Sequence, residues 1–334
     1  MSKGKVVVFG ATGTVGAYSS ALLAQHGYEV VGIGRRTDDG GFFDTIGGSY
    51  YSLDVSDRSA FSKLPHNNIK AVLHFAGSMP SKMQGYHPDA YVDSIVKGTL
   101  NVLDYCLEAS AEKIVFTQTR ADSVEYFGSE TPLPDDIDRK YPKVGDHSVY
   151  TICKNAAVDL IEHYHYQHDL PRFIFRLPTI YAYHPDTFFY VDGKRKEKAY
   201  WYMIRQAMQG KTLSVWGDPG KKKEIFYVKD MAKAVLLAVE SPLAGGVYNV
   251  GRGVGVTLEE QVKGISEIFS PKENSCDVCY EPDRPDGRQF VHSIAKIGKD
   301  LGFTPEYGYR DMLRDMKKEM KEKPFAKLWG LGDL

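Results

Sequence analysis

The amino-acid sequence predicts an α/β fold: a doubly wound parallel sheet with a smaller C-terminal α/β domain. Strand-like and helix-like segments alternate through the first half, the pattern of such a sheet. The strand-like runs are near-continuously apolar, which marks strands buried on both faces. After about Pro178 the texture changes to aromatic, Pro, Gly and charged stretches, so a second unit is expected there.

Lys5–Phe9, Glu29–Ile33, Ala71–Phe75, Lys113–Thr117 and Arg172–Arg176 read as strands, each rich in Val, Ile or Phe. Val15–His26, Asp89–Ala109 and Val149–His168 carry apolar residues at helical spacing between them. Residues 1–178 form the expected first domain, and 226–250 return a strand–helix–strand to it. Residues 179–334 form the second. There Tyr183–Lys198 reads as a long loop or cap, Tyr200–Gln209 as a helix and Leu213–Trp216 as a strand closed by a Gly-Asp-Pro-Gly turn. Thr257–Phe269 reads as a helix opened by a capping box of Thr257 and Glu260. Asp311–Lys323, strongly charged, reads as a solvated surface helix.

Lys and Arg number 42 against 43 Asp and Glu, leaving a formal charge of -1. That balance gives no reason to expect nucleic acid or an anionic membrane surface as a partner. No window approaches the ~18 apolar residues of a membrane span. No export signal is recognisable, so a cytoplasmic location with reduced thiols is expected. Cys276 and Cys279 form a C-x-x-C without a second Cys or His pair nearby, so no metal is expected.

Gly10, Ala11, Thr12, Gly13, Thr14, Val15 and Gly16 follow the first strand and open the first helix. Glycines let a backbone turn tightly and approach a pyrophosphate, and a helix N-terminus offers it free N–H groups. A dinucleotide site of the Rossmann type is expected. The second strand ends Gly34-Arg35-Arg36, with no acidic residue where the ribose 2′-hydroxyl of NAD is usually bound. Arg35 and Arg36 suit a 2′-phosphate, so NADP is favoured and NAD remains possible, with Asp38 or Asp39 as the alternative ribose partner.

Tyr150 and Lys154 stand four apart on an expected helix, so phenol and ammonium share a face. A phenol titrates near 10, too high for a neutral-pH base. A neighbouring ammonium and a positive nicotinamide would both favour phenolate.

With the G-x-x-G-x-x-G spacing, these residues make the chain resemble the extended short-chain dehydrogenase/reductases, the NAD-dependent epimerase/dehydratase family. The resemblance runs from Lys5 to about Tyr307. It implies an enzyme acting on a nucleotide sugar or related sugar through a transient ketone. Tyr150 would be acid and base, Lys154 would also hold the nicotinamide ribose, and Thr119 (or Thr117) would bind the reacting oxygen. Asp54 and Val55 would contact adenine, while Phe75, Ala76, Gly77, Thr117 and Pro178 would lie along the cofactor. Met79, Thr119, Thr179, Lys223 and Arg288 would face the substrate, Lys223 replacing an Arg that meets the diphosphate. A homodimer through Asp89–Ala109 and Val149–His168 is implied by the same analogy.

The sequence also departs from the family pattern. Ile95 stands where an Asn is usual, and Arg120-Ala121 replaces the Asp-Glu of the dehydratases, although Asp122 and Glu125 are near. Two other readings stay open: an NADPH-dependent reductase of a non-nucleotide ketone or aldehyde, and a non-catalytic dinucleotide sensor.

Overall fold

The structure, a computed structural model, describes residues 2–191, 193–273, 276–285 and 287–330. Its centre is a seven-stranded, wholly parallel sheet built from β1 (Lys5–Phe9), β2 (Glu29–Gly34), β3 (Ser49–Ser52), β4 (Ile69–His74), β5 (Ile114–Thr119), β6 (Arg172–Leu177) and β13 (Gly245–Asn249). The spatial order is β13-β6-β5-β4-β1-β2-β3, so the chain reverses its direction of travel between β1 and β4. Ligands bind doubly wound sheets at that switch point, beyond the strand C-termini.

The apolar runs form these strands because each side of the sheet has its own core. Val6 and Val8 enter one cluster, with Ala17 and Leu23 of α1 (Thr14–Gln25) and Val235 of α7 (Val228–Glu240). Val7 and Phe9 enter the other, with Val102 of α4 (Gly98–Glu108) and Ile161 of α5 (Asp146–His168). The period-two alternation of a strand makes this split, and all four β1 side chains are fully buried. Each contributes about 1.5–3 kcal/mol relative to an exposed position.

The remaining elements flank and extend the sheet. They are the short α2 (Phe42–Thr45) and α3 (Pro88–Tyr91), β7 (Thr179–Tyr181), β8 (Phe188–Val191), β9 (Lys194–Glu197), α6 (Ala199–Met208) and β10 (Leu213–Trp216). They continue with β11 (Lys222–Lys223), β12 (Ile225–Tyr227), β14 (Val256–Thr257), α8 (Leu258–Phe269), β15 (Val278–Glu281), α9 (Ala295–Leu301), α10 (Tyr309–Glu322) and α11 (Ala326–Trp329). Strand β7 pairs with β12 and β10 with β15, both parallel, while β11 pairs antiparallel with β14. The Thr257–Glu260 capping box forms as the sequence indicates. No described helix is long and apolar enough to cross a membrane.

Three expectations are corrected. The stretch read as a long loop or cap contains the antiparallel hairpin β8–β9, in which Phe188 faces Glu197 and Arg195 lies 3.9 Å over the Phe188 ring. The helix expected over Asp89–Ala109 is interrupted by a π-helical turn at Val92–Lys97, where the Ser94 hydroxyl bonds back to the Ala90 carbonyl. Helix α10 is not a solvated surface helix. Met312, Leu313 and Met316 are buried, and the buried Glu319 carboxylate takes the Tyr18 hydroxyl and the Lys229 amine.

Candidate active site

The glycine turn has the geometry a dinucleotide requires. Gly10 has φ +83°, and a Cβ there would stand 2.8 Å from the Ala76 nitrogen, so only glycine lets the segment Phe75, Ala76 and Gly77 after β4 pass. A Cβ at Gly16 would stand 2.3 Å from the Gly10 carbonyl oxygen, so the helix closes tightly on the turn. Helix α1 begins after exposed Gly13 without a side-chain cap, which leaves the first N–H groups, at Thr14 and Val15, to an anion. These residues fit a dinucleotide pyrophosphate.

The C-terminal segment reaches this turn. Trp329 donates its indole N–H to the Thr12 carbonyl at 3.1 Å, and Arg36 donates through Nη1 to the Leu328 carbonyl at 2.6 Å. Arg36 is thus tethered through one of its nitrogens, which limits the fork that favoured NADP, and both Arg35 and Arg36 are exposed. Asp38 and Asp39 accept from backbone N–H groups of Gly40, Gly41 and Phe43, which fixes the loop between β2 and α2.

At the position expected to meet adenine, exposed Asp54 accepts from the Ser56 backbone and hydroxyl, and buried Val55 is held through its carbonyl by Asn101. Ile95, where the resembling enzymes carry Asn, is fully buried opposite Gly77. The Ser94 oxygen beside it accepts from the Ser78 N–H and lies 3.0 Å from the Ser78 hydroxyl, fixing the loop into Met79.

Thr119, Tyr150 and Met79 line one cavity of 380 Å³, together with Arg120, Ala121, Val124, His147 and Ser148. Helix α5 carries Tyr150, and the end of β5 carries Thr119. Burial pushes the Tyr150 phenol up to about 12, and a hydrogen bond from the Thr119 side chain opposes that rise. Lys154 donates to the Thr117 carbonyl at 2.7 Å and lies 4.3 Å over the Phe116 ring. Burial lowers it to about 7. The expectation that Lys154 draws the phenol down is thus not met: desolvation dominates both groups, and the ammonium faces a carbonyl and a ring. Thr117 serves through its main chain.

Pro178 is buried at the turn out of β6, and Thr179 opens β7, paired with Ile225. Lys223 is lowered to about 8 by burial and by the charge of Arg120. Arg288 is exposed. Asp122 is spent in a buried ion pair with Arg176 at 3.0 Å, and Glu125 in a looser one with Lys140 at 3.7 Å. Neither is free to serve as the acid or base of an elimination. Cys276 Sγ lies 2.9 Å from the Ser266 hydroxyl, while Cys279 is exposed.

Sequence reasoning missed four participants. Gln118 accepts the Thr119 N–H and donates to Asn155, locking the end of β5 to α5. Trp329 and Leu328 lie more than 290 positions from their partners, and no local pattern announces them. Arg120 was visible only as a departure from the family pattern.

Residues 6–251 match the family model described as the NAD dependent epimerase/dehydratase family. A low-salt glycan biosynthesis protein of Haloferax volcanii is 26% identical over 317 residues, covering 92% of this chain and 96% of that protein. A UDP-glucuronate 4-epimerase of Thermodesulfobacterium geofontis is 22% identical over 334 residues, covering 96% and 97%. Among solved structures, MoeE5 in complex with UDP-glucuronic acid and NAD superposes with a TM-score of 0.71 at 22% identity, covering 96% of this chain and all of that one. That likeness establishes the fold.

Proposed function

The chain belongs to the NAD dependent epimerase/dehydratase family, and from that premise we propose that it remakes a nucleotide sugar through a transient ketone. Tyr150 takes and returns the carbinol proton. The observation that carries this reading is the convergence of Tyr150 and Thr119 on one cavity, reached by the loop that Gly10 allows past the glycine turn.

The glycine turn and the N-terminus of α1 hold the pyrophosphate, and Phe75, Ala76 and Pro178 flank the remainder of the cofactor. Bound nicotinamide supplies a hydride acceptor and donor. Thr119 holds the substrate oxygen through its hydroxyl. The Tyr150 phenol, protonated at neutral pH, is a proton donor in the reductive half of the cycle, and in the oxidative half the positive charge of bound nicotinamide would favour the phenolate that accepts the carbinol proton. Lys154, lowered to about 7 by burial and bonded to the Thr117 carbonyl, would hold the nicotinamide ribose. Asp122 and Glu125, both ion-paired, favour epimerisation over elimination. NAD stands ahead of NADP as resident cofactor, because Arg36 is tied to Leu328 and MoeE5 was solved with NAD. Exposed Leu100 and Leu107 on α4 and Ile152 and Tyr166 on α5 support a homodimer through these helices, which sedimentation would test.

Product analysis tests the reading. Incubation with UDP-glucose and UDP-glucuronic acid plus catalytic NAD is expected to give an isomerised sugar with no net change in reduced cofactor. Stoichiometric consumption of reduced cofactor would instead indicate the carbonyl reductase. Dinucleotide binding without turnover of either sugar, with every assayed function unchanged in Tyr150→Phe, would indicate the sensor.

A further inference from the structure

The cavity beside Tyr150 holds a positive charge that the proposed reaction does not use. Arg120 directly follows Thr119, so their Cα atoms stand ~3.8 Å apart, and Arg120 lines the same cavity. Its guanidinium lies 5.6 Å over the Phe127 ring and 5.0 Å over the Phe290 ring, and those rings stack 4.3 Å apart. An aromatic seat grips a guanidinium by its face and leaves the edge donors free for a planar anion.

Two arginines near this end of the sheet are neutralised, Arg176 by Asp122 and Arg139 by Asp159. Arg120 has Lys223 as a neighbour instead, a second cation, and burial disfavours the charge on both. Among the described residues neither is paired with a carboxylate, and no described residue lining the cavity is acidic. Two half-buried like charges are costly together unless an anion joins them.

We propose that Arg120 binds a carboxylate carried by the sugar ring itself, so that the preferred substrate is a nucleotide-linked sugar acid. The inference rests on the nucleotide-sugar reading above. A carboxylate on a carbon beside the oxidised hydroxyl lies one residue's reach from Thr119. The diphosphate leaves from the anomeric carbon across the ring, and Lys223 stays beside Arg120 at the carboxylate. The guanidinium edge matches a carboxylate with two parallel hydrogen bonds.

Calorimetric titration of the intact protein with UDP-glucuronic acid, UDP-glucose and UDP decides the matter. The wild type is expected to bind UDP-glucuronic acid about ten-fold or more tightly than UDP-glucose. Arg120→Gln is expected to erase that ratio while leaving UDP affinity within about two-fold, and Arg120→Lys to retain part of it. A wild-type ratio near one overturns the proposal, even if the variants fail to fold. An equal loss for all three ligands in Arg120→Gln also overturns it, placing Arg120 on the diphosphate. Absence of UDP binding to the wild type would overturn the nucleotide-sugar reading itself, a result distinct from either.

Discussion

Arg36 donates through Nη1 to the Leu328 carbonyl at 2.6 Å, joining the loop after the second sheet strand to a residue 292 positions away. The bond engages one nitrogen of Arg36 and restrains its side chain, so the untethered Arg35 is expected to carry more of any affinity for a 2′-phosphate. Arg35→Ala is expected to weaken NADP about ten-fold relative to NAD, and Arg36→Ala to change the ratio less than about three-fold. Titration of both variants with both cofactors checks this; a larger effect at Arg36 contradicts it.

Trp329 holds the glycine turn from the same segment, through its N–H to the Thr12 carbonyl. Its ring packs 5.0 Å from Phe325 and 4.4 Å from His184. Trp329→Phe keeps an aromatic ring and removes the donor. Urea denaturation is expected to show a loss of about 1 kcal/mol, and no loss would mean the bond is idle.

Asp122 and Arg176 form a buried pair just beyond Thr119, and Arg176 also donates to Asn249 on β13. Removing one member leaves a buried charge alone. Asp122→Ala should therefore cost about 3–5 kcal/mol, and Asp122→Leu combined with Arg176→Met considerably less. Equal costs would show that the charges act independently.

These contacts explain what the sequence could and could not disclose. The glycine turn was legible because strand, turn and helix follow one another within a dozen residues. Tyr150 and Lys154 were legible because helical spacing puts four-apart residues on one face. The direction of the Tyr150 pKa was not, because it depends on how deeply neighbouring elements bury the phenol. The buried face of α10 was masked by its charge. Glu319 looks like a surface residue until Tyr18 and Lys229, both distant in sequence, are seen to satisfy it. The π-helical turn beside Ile95 depends on a Ser94 back-bond that periodicity does not register.

Burial holds Lys154 near 7, against an ordinary 10.5. Between those values the unfolded chain binds a proton that the folded chain does not, so stability rises with pH across that window. Below it the full penalty remains. Lys154→Met is expected to melt higher than the wild type near about pH 6 and to lose most of that advantage near about pH 10. The same difference at both pH values would contradict the depressed amine.

The central claim concerns the Tyr150 phenol as the proton-transferring group. Its most direct test is the turnover of Tyr150→Phe on a nucleotide sugar, measured beside its affinity for NAD. The account predicts a loss of about a hundred- to ten-thousand-fold in kcat, with NAD affinity and melting temperature unchanged. A variant that keeps its turnover within about ten-fold of the wild type would contradict it.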